Sequence, residues 1–196
     1  ADLITYGKTL GGGYPVGVVC GKHKWMKRWK ENRPADICFA RGTFNAHPVV
    51  MSAMKAFLDE IEKPEIQALY EGLDERWNQR CEKFNHTMRE FDFPIQATNM
   101  SSVWTISYTQ PGRYHWLLQF YLRAEGLALS WVGTGRLIFS LNYGETEFQA
   151  VLDRFVAAAK KMSEDGWWWQ NPQLTHRNIR LQILRETLGW PEKTSD

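Results

Sequence analysis

Short apolar runs alternate with polar and glycine-rich stretches in the first part of the chain. Apolar residues at 3–5 and 16–20 predict two strands, the second of them buried, and the glycines at 11–13 separate the two. The basic segment 23–32 is expected to be helical, and residues 37–40 to form a further short strand. The first part of the chain is therefore expected to be built from short strands with little helix.

Helical spacing dominates the next part of the chain. Apolar residues recur every three or four positions from Pro48 to about residue 61, and proline suits a first helical turn. After Pro64 the same spacing predicts one long helix over residues 65–91. Its apolar stripe is expected to pack in the core and consists of Ile66, Leu69, Leu73, Trp77, Phe84 and Met88.

After Pro94 strands and helices alternate, which indicates an α+β domain. Thr146 and Gln149 have the spacing of a capping box, and a helix follows them to about Met162. Gly126 is a plausible end of an earlier helix. The remaining elements predicted here are strands at 95–98, 103–108, 127–131 and 137–139 and a helix at 114–125.

The tail at 166–196 differs in composition from the rest of the chain. Three tryptophans stand together at 167–169, and an amphipathic helix is predicted near 178–188. Its predicted apolar side consists of Ile179, Ile183, Leu184 and Leu188, and its predicted basic side of Arg177, Arg180 and Arg185. The tail is expected to pack on its own domain or on a partner. Stacking of its tryptophans and arginines on nucleic-acid bases is the remote alternative. The predicted organisation is three segments, at 1–62, 63–165 and 166–196.

Composition narrows the class of protein. The 196 residues are 43% hydrophobic and 23% charged, which excludes a disordered chain. No apolar run is long enough to cross a bilayer, and the net charge of +2 gives no push towards nucleic acid. Three widely spaced cysteines without a CxxC pair argue against a disulfide scaffold or a zinc site. A reducing, cytoplasmic location without metal, membrane or nucleic acid is expected.

Lys8 lies in the densest local motif, Gly7-Lys8-Thr9 followed by three glycines. A phosphate loop would place its leading glycine at Asp2 and would open a helix after the lysine, so that interpretation fails. A lysine at a strand end beside glycines suits a Schiff base, because its amine must reach a carbonyl carbon beside a flat ring. A solvated surface lysine remains the alternative from residue types alone.

The segment Gly7-Lys8-Thr9-Leu10-Gly11-Gly12-Gly13-Tyr14-Pro15-Val16-Gly17 resembles the lysine motif of class III pyridoxal-phosphate aminotransferases. The glutamate-1-semialdehyde aminomutase branch is the most similar. Gly42-Thr43-Phe44, followed by Pro48, matches a second motif of that family. The resemblance implies an α/β fold, the C-terminal part of a fold-type-I transferase. It would comprise the end of the large domain and a small α+β domain.

The resemblance implies roles for four residues. Lys8 would form a Schiff base with pyridoxal 5'-phosphate and act as the base that moves the substrate proton. Gly42 and Thr43 would bind the cofactor phosphate of the neighbouring subunit in a homodimer. Arg136 would pair with a substrate carboxylate. An ordinary turn residue at Thr43 and a surface arginine at Arg136 remain the alternatives.

The sequence also departs from the family. Ala46-His47 stands where many members have Gly-Asn. A histidine at this place resembles the aminotransferase domains of polyketide and peptide assembly lines, and an ordinary residue at a helix N-terminus is the alternative for His47. The amino donor and carbonyl acceptor are therefore expected to be small molecules, free or held on a carrier protein. The family's other cofactor-binding residues precede the lysine. The resemblance thus implies a C-terminal portion that is inactive alone.

The expected function is transfer or internal shift of an amino group between an amine and a carbonyl. Racemases and epimerases of the family use the same lysine, so the outcome of the reaction stays open. A non-catalytic interaction module that keeps the fold is the alternative from another functional class.

Overall fold

The structure is a computed structural model, and it describes residues 1–37, 42–129, 135–169, 171 and 174–190. The chain divides into two compact units, Ala1–Glu71 and Gly72–Asp196. The segment limits at residues 62 and 165 stay predictions. Within the described ranges, no helix has the length and apolar character needed to span a membrane.

The first unit contains a two-stranded hairpin and three helices. Strands β1 (Leu3–Gly7) and β2 (Gly17–Gly21) pair antiparallel, with Leu3 opposite Gly21 and Gly7 opposite Gly17. A turn of 3-10 helix, Lys8–Gly11, follows β1 and contacts the longest helix of this unit. The helices are α1 (His23–Met26), α2 (Pro48–Ile61) and α3 (Pro64–Gln67).

Two expectations for the first unit are wrong in part. The strand predicted at 16–20 forms one residue later and is largely exposed rather than buried, because a two-stranded hairpin brings no second layer of its own. The basic segment 23–32 is helical only over the four residues of α1. Ile37 is not in a strand, and the rest of the strand predicted at 37–40 lies outside the described residues.

The second unit is a three-stranded antiparallel sheet packed against helices. Its sheet order is β3-β4-β5, and the longest helices pack on the sheet and on each other. The helices are α4 (Leu73–Glu90), α5 (Leu118–Ala124), α6 (Glu145–Glu164) and α7 (His176–Leu188). The strands are β3 (Ile95–Met100), β4 (Val103–Tyr108) and β5 (Arg136–Ile138).

An aromatic cluster fills the core of the second unit. The Phe84 ring meets those of Trp104 and Phe155 edge to face, at centroid distances of 5.8 and 5.1 Å. Trp77 stacks on Phe139 at 4.7 Å. The other large side chains that are fully buried here are Met88, Ile95, Leu122, Phe148 and Met162. Edge-to-face pairs add attraction beyond the area that they bury, so this cluster stabilises the unit by more than its buried area alone.

The long helix predicted at 65–91 is two helices. Helix α3 passes into a 3-10 turn, Ala68–Tyr70, which the extended Glu71 ends, and Gly72 at φ +63° then precedes α4. Ile66 and Leu69 therefore belong to the first unit, and only the C-terminal part of the predicted stripe enters the core.

The ends of two other elements also differ from the prediction. The N-terminus of α6 is capped at Gly144, whose N–H donates to the Glu147 carboxylate at 2.9 Å, and not by Thr146 and Gln149. Residues 127–129 are not in a strand, and the rest of the strand predicted at 127–131 lies outside the described residues. Gly126 has φ +87° directly after the end of α5, which agrees with its predicted role.

The tail packs on the second unit, as one of the two sequence-based interpretations expected. The indole N–H of Trp168 donates to the Ala159 carbonyl at 3.0 Å, and Trp167 also lies against the core. Arg113 binds both carboxylate oxygens of Glu186 in α7, one of them at 2.6 Å. Ile179 is the buried residue of that helix. The tail is thus held by its tryptophans, one aliphatic residue and one forked ion pair.

Asn85 joins α4 to the edge strand of the sheet. Its side-chain N–H donates to the Ala97 carbonyl at 2.9 Å, and its oxygen accepts from the Ala97 N–H at 2.7 Å. We expect Asn85→Leu to lower the free energy of unfolding by about 2–3 kcal/mol, because the Ala97 N–H would lose its partner and the Ala97 carbonyl would keep only the weak Cys81 thiol donor at 3.5 Å. Urea denaturation measures it. The control is Asn78→Leu, also on α4. It removes an exposed hydrogen bond to Asn99 of β3 and should lower the free energy of unfolding far less. Equal losses in the two variants would contradict this role.

His115 is buried beside Tyr108, with ring centroids 4.2 Å apart. Burial lowers the pKa of His115 to about 4, and His176 adds to the shift. The native state then keeps His115 neutral where the unfolded chain protonates it, so its contribution to stability is lost as the pH falls from about 6.5 to about 4. Urea unfolding measured at several pH values should show this loss of stability in the wild type and a smaller loss in His115→Phe. His86→Phe, at an exposed position on α4, is the control. Equal pH dependence of stability in His115→Phe and the wild type would contradict this role of His115.

Candidate functional site

Lys8 occupies an unusual backbone conformation. It is the first residue of the 3-10 turn that follows β1, its φ is +57°, and its side chain is exposed. The left-handed region costs a residue with a side chain about 1–2 kcal/mol, so such residues persist where the surroundings hold them, often at functional sites. The backbone thus presents the Lys8 amine to solvent at the end of a strand.

The glycines after Lys8 allow the loop to pack closely. A Cβ on buried Gly11 would lie 2.9 Å from a Val16 methyl carbon. Gly12 has φ +57°, and a Cβ there would touch the Ala53 backbone of α2. The Lys8 loop is therefore seated on α2 in a form that side chains at these positions would disturb.

The second motif forms a tight turn in front of α2. The Asn45 N–H donates to the Gly42 carbonyl at 3.0 Å, and the His47 N–H donates to the Phe44 carbonyl at 3.2 Å. Thr43 is exposed at the start of this turn, and Ala46 has φ +51°. Each of the two motif loops thus contains one non-glycine residue in the left-handed region.

A cavity of about 470 Å³ lies between the two loops in the first unit. Tyr14 and Val16 line it from the first loop, and Phe44 and His47 from the second. His47 Nδ1 is buried there without a hydrogen-bond partner among the described residues. Sequence reasoning missed this cavity. The aromatic residue beside each motif was the available signal.

Arg136 lies in the second unit. It is the first residue of β5, opposite Thr105, and its side chain is exposed. It lines a smaller cavity of about 200 Å³ together with Leu129 and Tyr143. No acidic partner for Arg136 occurs in the part of the chain that the structure describes. Its guanidinium is available to a carboxylate.

The chemistry of these loops is that of amines, hydroxyls and backbone N–H groups. Across the described ranges, no three His, Cys, Asp or Glu side chains come together as a metal site. Lys8 and Thr43 both lie in loops next to α2, whereas Arg136 belongs to the other unit. The first unit therefore offers a nucleophilic amine and groups that can hold an anion.

Comparison with known proteins places most of the chain in one group. The family model described as "Aminotransferase class-III" matches residues 1–158. A glutamate-1-semialdehyde 2,1-aminomutase of Ignicoccus hospitalis is 50% identical over 62 residues, which are 32% of this chain and 14% of that protein. Another, of Nitratidesulfovibrio vulgaris, is 25% identical over 174 residues, 83% of this chain and 38% of that protein.

Solved structures show the same similarity. An omega-transaminase from Sphaerobacter thermophilus matches with a TM-score of 0.67 and 26% identity, over 81% of this chain and 38% of that one. A beta-phenylalanine aminotransferase from Variovorax paradoxus matches with a TM-score of 0.64 and 26% identity, over 85% and 39% of the two chains. The chain thus spans less than two fifths of the length of these relatives.

Proposed function

Because this chain belongs to the class-III aminotransferase family, we propose that the complete protein moves amino groups between an amine and a carbonyl compound. Lys8 is the catalytic residue. The observation that carries the proposal is its placement, an exposed amine held in a left-handed conformation between a strand end and a glycine loop. The proposed cofactor is pyridoxal 5'-phosphate.

The residues of the first unit suit that cofactor. The Lys8 amine would hold it covalently, and Gly13 has open space beside it, with nothing within 4 Å of an added Cβ. Thr43 and the backbone around Gly42 would bind the phosphate group of the cofactor that the neighbouring subunit holds, since a hydroxyl and N–H groups are good donors to an anion. When bound, the cofactor supplies an electron sink for the carbon that loses a proton.

The second proposed role of the Lys8 amine is proton transfer. Its Nζ would move a proton between the substrate α-carbon and the C4′ carbon of the cofactor, acting as general base and then as general acid. Arg136 would orient the substrate, because a guanidinium can bind both oxygens of a carboxylate. The substrates are thus an amino donor and a carbonyl acceptor, at least one with a carboxylate.

Borohydride trapping tests the proposal directly. The complete protein is incubated with pyridoxal 5'-phosphate, reduced and digested, and the modified peptide is mapped by mass spectrometry. We expect the reduced adduct on Lys8 in the wild type and in Lys24→Arg, a matched change at another exposed lysine of the same unit. A folded protein with no adduct on Lys8 would overturn the proposal.

Thr43→Ala should weaken binding of pyridoxal 5'-phosphate about 10- to 100-fold, because a hydrogen bond to a charged group contributes about 1.5–3 kcal/mol. Thr43→Ser keeps the hydroxyl and should stay near wild type. Equilibrium dialysis of the complete protein measures the affinity, with Ser52→Ala, an exposed change on α2, as the control. Unchanged affinity in Thr43→Ala would remove Thr43 from the cofactor site.

A further inference from the structure

Helix α7 lies beyond the residues that the family model matches, which end at 158. Thr175 caps its N-terminus by accepting from the Asn178 N–H at 3.1 Å. One side of the helix faces the second unit through buried Ile179 and through Glu186, which binds Arg113. These residues are seven positions apart, so they mark a single face. The rest of the helix is held in place with its other face outward.

The outward face carries an apolar stripe. Leu181, Leu184 and Leu188 are 41%, 48% and 50% exposed, and we call these three residues the leucine seam. Their spacing of three and then four residues is that of the a, d and a positions of a heptad. In the same register, Ile179 and Glu186 occupy f positions, opposite the seam. The packed face and the seam therefore lie on opposite sides of one helix.

Two arginines flank the leucine seam. In the heptad register, Arg180 occupies a g position and Arg185 an e position, the sites that face the charges of a partner helix. Neither has an ion pair in the described part of the chain. Two copies of α7 would bring arginine against arginine, which disfavours self-pairing. An acidic partner would instead pair with both.

We propose that the leucine seam binds an acidic amphipathic helix of a partner protein. The partner would place apolar side chains against the seam and glutamates against Arg180 and Arg185. Because α7 is already folded and held on the second unit, binding of a partner does not require the entropy cost of folding this helix. Ile183 is also 45% exposed, but it occupies a c position outside the seam. The seam itself is a single a–d–a stripe, which matches a helix more closely than the broad apolar face that a membrane-surface helix presents.

The test uses the full chain and a synthetic helical peptide of about three heptads, with leucine at a and d and glutamate at e and g. Its glutamates oppose self-association. We expect saturable binding in titration calorimetry that weakens as salt is added. Leu184→Ala should weaken binding at least about tenfold, through loss of buried apolar area. Arg180→Glu with Arg185→Glu should weaken it about thirtyfold or more and confer binding to a lysine-bearing version of the peptide.

The control variant is Arg123→Glu, a charge reversal on α5 outside the seam, which should bind as the wild type does. Arg123, Arg180 and Leu184 are exposed and Arg185 is half-buried, and circular dichroism checks that each variant is folded. Failure of the wild type to bind the acidic peptide would overturn the proposal, as would equal binding of the lysine peptide. So would binding of phosphatidylglycerol vesicles in preference to the peptide, or dimerisation that Leu184→Ala abolishes.

Discussion

Lys8→Arg in the complete protein should lower kcat for amino transfer by at least about a thousandfold. Arginine keeps the positive charge and a long side chain. However, its guanidinium stays protonated at ordinary pH, so it can neither bond covalently to a cofactor carbonyl nor accept the substrate proton. The loss therefore separates a chemical role of Lys8 from a purely electrostatic one.

Two measurements accompany the rate. Absorbance of the protein with pyridoxal 5'-phosphate reports the covalent link, which Lys8→Arg should lack although bound cofactor remains. Lys24→Arg, at an exposed lysine that lies over Trp25, should change neither the rate nor the spectrum. If Lys8→Arg retained wild-type turnover, Lys8 would not be the catalytic residue.

Phe84→Ala should lower the free energy of unfolding by about 3–5 kcal/mol. The Phe84 side chain is 1% exposed and contacts two other buried rings, so its removal loses apolar burial and leaves a cavity that rigid aromatic neighbours cannot close. This is a large share of the stability of an ordinary domain.

Urea denaturation followed by tryptophan fluorescence measures the effect, because Trp104 borders the new cavity. Phe120→Ala is the matched control. Phe120 is 46% exposed, and within the described part of the chain its ring contacts only that of Trp116, so the expected change is below about 1 kcal/mol. Similar losses in both variants would mean that the aromatic cluster is not the centre of the core.

The elements with strong periodicity were predictable. β4 formed over the residues predicted for it and β3 extends two residues beyond its prediction, and α4 buries Trp77, Phe84 and Met88 as its spacing predicted. The ends of the helices and strands were harder to predict. The long predicted helix is interrupted by the 3-10 turn at Ala68–Tyr70, the extended Glu71 and the left-handed Gly72, and apolar spacing alone does not reveal this interruption.

The family and the α/β fold of a fold-type-I pyridoxal-phosphate transferase, expected from the resemblance, are confirmed by the family model and the solved structures. The motifs located Lys8 and Thr43, whose roles stay predictions. Nothing in the residue types indicated the strained backbone at Lys8 and Ala46, or the buried His47 nitrogen. Those depend on how the loops are seated on α2.

Sequence by itself determined which residues share a face and which motif could supply an amine, because periodicity and residue chemistry are local properties of the chain. Only the tertiary structure decided which faces are covered. In α7, Ile179 is buried while Leu184 and Leu188 stay exposed, although all three were expected on one apolar side. Burial depends on the neighbours that long-range contacts supply, here the Arg113–Glu186 pair and the packed tryptophans, and no local pattern encodes them.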